Sequence, residues 1–194
     1  SMDPDKREET WEPYREACEQ LDEPGTYVPF LAYEAHPRAG DRQIFFKNYK
    51  NEPLPPSMRL PMEEVDTLYG EREDAILQVH IGGAPPLWDQ YKPARERFLE
   101  VCSGFGCAEW LLQHALRLGY RPGVCAASDL HLGLMGGPRA VEPFRGRFGQ
   151  KYPMNHRDSA YGTGPVTAIV APQLHRDALW NSIETRNTYA TSGA

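Results

Sequence analysis

Strand-length apolar runs alternate with amphipathic helical stretches along this chain, and that alternation restricts it to α/β architectures built on parallel βαβ units. Residues 27–33, Tyr-Val-Pro-Phe-Leu-Ala-Tyr, form one run and end at Glu34. Residues 75–79 form a second and lead into His80, and residues 123–127 deliver Ser128-Asp129-Leu130-His131. Further strands are predicted at 43–46, 98–103 and 165–171. Apolar positions three and four apart, beginning with Trp11, Tyr14, Cys18 and Leu21, predict a helix from Thr10 to the Pro24-Gly25 break. Helices are also predicted at 63–70, at 107–118 with Gly119 as the stop, and at 176–186. Residues 51–61 are rich in proline and read as loop, and residues 132–164 form a Gly/Arg-rich excursion longer than an ordinary connection.

With 194 residues, the chain has the size of one domain with a sizeable core, and residues 1–194 are read as a single domain. The 17 glycines and 18 prolines call for many turns and exclude a helical bundle. A net charge of −6 lacks the electrostatic footprint of nucleic-acid binding. No apolar run is long enough to span a bilayer, so no membrane partner is expected either. Cys18, Cys102, Cys107 and Cys125 show neither a CxxC pair nor zinc-ribbon spacing. They are read as free thiols, which implies a reducing, cytoplasmic setting.

The chemistry sits at the strand ends. In parallel α/β sheets ligands collect at the carboxyl ends of the strands, where this chain places Glu34, His80, Asp129 and His131. Asp129 and His131 are two apart, so in an extended segment both point the same way and reach one ion. Carboxylates with imidazoles suit Zn²⁺, Mn²⁺ or Fe²⁺, and such an ion lowers the pKa of bound water toward neutrality. The ordinary alternatives are a solvated or hydrogen-bonded histidine at a strand end and an aspartate capping a turn.

These residues lie in recognisable surroundings. Thr10-Trp11, Pro24 through Glu34 (PGTYVPFLAYE), Ala127-Ser128-Asp129-Leu130-His131 and the closing Arg186–Gly193 stretch (RNTYATSG) resemble the bacterial DUF3604 family. That family is related to the polymerase-and-histidinol-phosphatase (PHP) metallohydrolases. The resemblance runs through nearly the whole chain in order. It implies a distorted (βα)₇ barrel, divalent metal ions at the carboxyl ends of the strands, and phosphoester substrates. It also implies that Glu34, His80, Asp129 and His131 are metal ligands. Glu100 and Glu109 fall in a segment similar to the family's E-x-x-S-x-H-G-x-x-E, in which Phe105 stands where the family has histidine. Asp41-Arg42-Gln43 stands where the family tends to have His-Arg-Asn, and the family's first H-x-H has no counterpart.

Two explanations of these departures stay open. In one, the chain begins downstream of the family's first βα units, and the protein is a metal-dependent phosphoesterase. In the other, it is a non-catalytic PHP-like binding or assembly module with a degenerate site. On the enzymatic reading, Arg145, Arg147 and Arg157 of the long excursion clamp a small anionic substrate. His36, just past Glu34, is either a loop histidine or a group supporting the site, and His114 a surface histidine on a helix. Gly104-Phe105-Gly106-Cys107-Ala108-Glu109 resembles a dinucleotide loop, but Glu109 replaces its third glycine and would bring negative charge to a pyrophosphate. There is no G-x-S-x-G elbow and no P-loop.

Overall fold

The computed structural model describes residues 4–50, 52–81, 86–103, 106–127, 144–145, 151–152 and 165–191. Its centre is a six-stranded mixed sheet of β1 (Leu31–Ala35), β2 (Arg42–Phe46), β3 (Ala75–Val79), β4 (Glu96–Ser103), β5 (Gly106–Cys107) and β6 (Gly123–Ala126). Strands β1, β2 and β3 are successive antiparallel neighbours, whereas β3, β4 and β6 run parallel. The helices are α1 (Pro4–Leu21), α2 (Met62–Tyr69), α3 (Glu109–Arg117) and α4 (Arg176–Glu184). A 3₁₀ turn at Trp88–Gln90 and the short ribbons β7–β8 (Phe144–Arg145 with Lys151–Tyr152) and β9–β10 (Val166–Ile169 with Thr188–Thr191) make up the rest of the described elements.

The expected (βα)₇ barrel is not found. Among the described residues the sheet is open and mixed, with β1 at one edge. The six residues from His36 to Asp41 are too few for the crossover that parallel neighbours require, so β1 and β2 form a hairpin. At the opposite side, the β9–β10 ribbon abuts β6 through side chains: Thr188 Oγ1 donates to the Val124 carbonyl at 2.8 Å and Thr167 Oγ1 to that of Ala126 at 2.8 Å.

The sheet buries its two faces differently. On one, Leu31, Ile44, Phe46 and Leu77 pack with Cys18 of α1 and Val65 of α2. Val79 and Leu99 pack with Leu111 and Ala115 of α3 on that same side. On the other, Phe45, Ile76, Phe98 and Cys125 meet Trp180 and Ile183 of α4. This second face is apolar only where α4 covers it. Further along the same strands it turns polar, with Glu34, Gln43, Gln78, His80 and Glu100 at successive alternate positions.

Strand boundaries shift in one place that matters. The run 27–33 becomes β1 at Leu31–Ala35, because Pro29 has no N–H for a ladder and Tyr27 closes a turn against Glu23 around Gly25, φ 90°. Glu34 therefore lies inside a strand, opposite Gln43. The free-thiol reading of Cys102 and Cys107 is also corrected: they are joined in a disulfide, with Cα atoms 4.0 Å apart. They are directly opposed in the β4–β5 ladder, a proximity set by strand pairing that spacing rules do not encode. Cys18 and Cys125 are buried and unpaired. No helix among the described residues is long and apolar enough to cross a membrane.

Candidate metal centre

Strand register assembles the polar half of the open face. Ala35 pairs with Arg42 and Arg42 with Val79, so the next positions, His36, Asp41 and His80, stand side by side at the rim. The His80 amide donates to the Asp41 carbonyl at 3.1 Å, which fixes β3 to the incoming turn. Val79 also pairs with Leu99, and this brings Glu100 of β4 beside His80.

The side chains converge accordingly. Glu34 Oε1 lies 3.3 Å from His80 Nε2 and 3.7 Å from His36 Nδ1, and His36 Nδ1 lies 3.2 Å from Asp41 Oδ1. One ligand-competent atom from each of Glu34, His36 and Asp41 falls within 4.8 Å of the others. Behind them, His80 Nδ1 is 2.5 Å from Glu100 Oε2, which also accepts the Ile81 amide at 3.1 Å. His80 is 2% exposed and Glu100 0%, so this pair is sealed from water.

The chemistry of that stack has a direction. An ionised carboxylate only accepts, so the proton of the His80–Glu100 bond belongs to Nδ1, and Nε2 faces Glu34. A neutral imidazole then turns a lone pair toward a carboxylate oxygen 3.3 Å away, an attractive arrangement only when a proton or a metal cation serves both. Glu100 Oε1 and Gln78 Nε2 are buried without a hydrogen-bond partner, a condition that costs free energy unless another group satisfies them. Among the described residues, the ion pairs of Glu34, Asp41 and Glu100 are all to histidines. Three carboxylates without lysine or arginine partners among the described residues favour a cation, and imidazole with carboxylate is a donor set for Zn²⁺, Mn²⁺ or Fe²⁺.

The neighbouring turn is held from the opposite face. Arg42, fully buried, forms an ion pair with the equally buried Glu96 and donates from Nη1 to the Gly40 carbonyl at 2.8 Å. Glu96 also accepts the Lys92 amide. Burial pushes the Glu96 carboxyl up from its ordinary range, and Arg42 opposes that shift. The pair thus anchors the chain immediately before and after Asp41.

No protein-family model, curated protein or solved structure matches this chain.

Of the four ligands expected from sequence, the structure brings Glu34 and His80 together. Asp129 and His131 lie outside the described residues, as do Phe105, Arg147 and Arg157; for Arg145 the description extends to its backbone in β7. Glu109 is exposed in the first turn of α3. The parallel pairing of β6 with β4, and the Ala127 amide donating to the Cys102 carbonyl at 3.1 Å, bring Ala127 to the same end of the sheet. His36 and Asp41 were not expected as ligands. The signal for His36 was present in Glu34-x-His36, the same two-residue spacing that singled out Asp129-x-His131. Asp41 needs the hairpin register, which the sequence does not state.

Proposed function

We propose that this protein is a metal-dependent hydrolase of the PHP type, resembling the DUF3604 family and acting on a phosphoester. The observation that carries the reading is the His80 imidazole, held at Nδ1 by the buried Glu100 and aimed by Nε2 at Glu34. A carboxylate behind a histidine in this way fixes tautomer and ring orientation and raises ligand basicity, as at many metal centres. Glu34, His36 and Asp41, whose ligand atoms lie within 4.8 Å of one another, would hold the ion, with His80 drawn in beside Glu34 and with Asp129 and His131 as the further ligands that the family resemblance implies. A bound divalent cation supplies Lewis acidity, polarising a phosphoryl oxygen and acidifying water at neutral pH.

The chain's own residues provide the remainder. Glu100 keeps the imidazole from rotating. His36, the most exposed of the cluster, stands beside Asp41 at 3.2 Å and borders the solvent side of the site. Arg145, Arg147 and Arg157 of the long excursion suit an anionic substrate by charge and planar geometry.

The test is hydrolysis of bis(p-nitrophenyl) phosphate by protein reconstituted with Mn²⁺ or Zn²⁺, beside His80→Ala and Glu34→Gln. The proposal expects turnover that requires metal and falls at least a hundredfold in both variants. Metal-independent turnover, or turnover that both variants retain, contradicts it.

A further inference from the structure

An apolar cavity of about 320 Å³ opens between α1, β1 and residues 54–58, and among the described residues Glu34 is the only charged one in its lining. Trp11, Tyr14, Tyr33, Leu54 and Met58 supply most of its walls. The walls are fixed before anything binds. Trp11 Nε1 donates to the Glu52 carbonyl at 3.0 Å, and its ring meets Tyr33 edge-on, 6.4 Å between centroids at 84°. Tyr33 donates its hydroxyl to that of Tyr69 at 3.0 Å, and the His36 amide ties the loop to the rim through the Met58 carbonyl. Tyr14, half exposed, stands at the mouth.

From these features we infer that the cavity takes an aromatic ring of the substrate, so that the substrate class is an aryl phosphoester. The inference rests on the metal-hydrolase reading for the phosphoryl end and on the cavity alone for the ring. Ligand sites begin at about 300 Å³, and an apolar cavity of roughly 150 Å³ already admits a benzene ring, so a fused bicyclic ring fits in size. The lining offers aromatic edges and faces suited to offset or edge-on ring contacts, and it lacks the polar groups a sugar or peptide would need. Glu34 links the two sites across the edge strand: next to Tyr33 in β1 it borders the cavity, while its carboxylate turns to the opposite face of the sheet, 3.3 Å from His80 Nε2. A ring seated against Trp11 and Tyr33 meets the cluster with a substituent that passes round the exposed edge of β1.

Calorimetry with three probes tests both parts. The neutral probe, 1-naphthol, reads the cavity without metal; 1-naphthylmethylphosphonate and methylphosphonate, with Mn²⁺ present, share one head group and differ in the ring. The inference expects 1-naphthol to bind the metal-free chain, and Leu54→Trp, which fills the cavity, to weaken it at least tenfold. Tyr14→Ala, at a half-exposed position outside the core, weakens it threefold or more with the circular dichroism spectrum retained. The naphthyl phosphonate binds at least tenfold more tightly than methylphosphonate, and Leu54→Trp removes the difference. Equal affinities for the two phosphonates overturn the inference and leave the metal reading standing. Binding of 1-naphthol with the expected variant losses, and of neither phosphonate, supports the ring site and overturns the metal reading. No naphthol binding, or binding that both variants leave unchanged, overturns the ring site itself.

Discussion

At the scale of single residues, Glu100 and Arg42 do opposite things with a buried charge. Glu100 spends one oxygen on His80 and the Ile81 amide and leaves the other without a hydrogen-bond partner. Glu100→Gln retains the shape but removes the carboxylate that accepts from His80 Nδ1. The expected result is metal affinity weakened by about 10–100-fold with the fold intact, measured by calorimetric titration. Arg42 and Glu96 instead pair with each other on the far face of the sheet, although Arg42 Nη2 has no hydrogen-bond partner. Arg42→Met strands a buried carboxylate and should cost about 3–5 kcal/mol in urea denaturation, whereas Arg42→Met combined with Glu96→Leu should recover most of that loss. A single substitution with no effect would show that the pair contributes nothing.

The elements show which parts of the sequence were legible and why. β3 is read from the sequence with its boundaries intact, because a five-residue run that is buried throughout needs no alternation to be recognised. α3 and Gly119 are equally plain: Leu111 and Ala115 are buried one turn apart, and the glycine takes φ 88°, a left-handed value favouring glycine over other residues. Pro29 concealed the true start of β1. β10 went unread, since its Thr-Tyr-Ala-Thr has no apolar face and its place depends on a distant partner, β9. The same limit explains Cys102 and Cys107, whose opposition is a property of the β4–β5 pairing. Iodoacetamide in denaturant, followed by intact-mass measurement, should label two cysteines without reductant and four with it. Four labelled without reductant would contradict the pairing.

Across the molecule, one sheet serves two ends of a single face: α4 covers the apolar half with Trp180 and Ile183, and the rim half carries the carboxylates and imidazoles. Part of this arrangement followed from sequence, because apolar runs that give way to Glu34 and His80 leave polar side chains beside the apolar ones on the sheet. The hairpin that adds His36 and Asp41, and that opens the barrel expected from the family resemblance into a mixed sheet, did not, because pairing direction is a long-range choice. The central claim is that this rim is built for a divalent cation. The most direct measurement is metal content by elemental analysis of protein purified without chelator, compared across wild type, Glu34→Gln and His80→Ala. At least one equivalent of Zn, Mn or Fe in the wild type and a marked loss in both variants is the predicted result. No metal in the wild type, or equal content in all three, would contradict it.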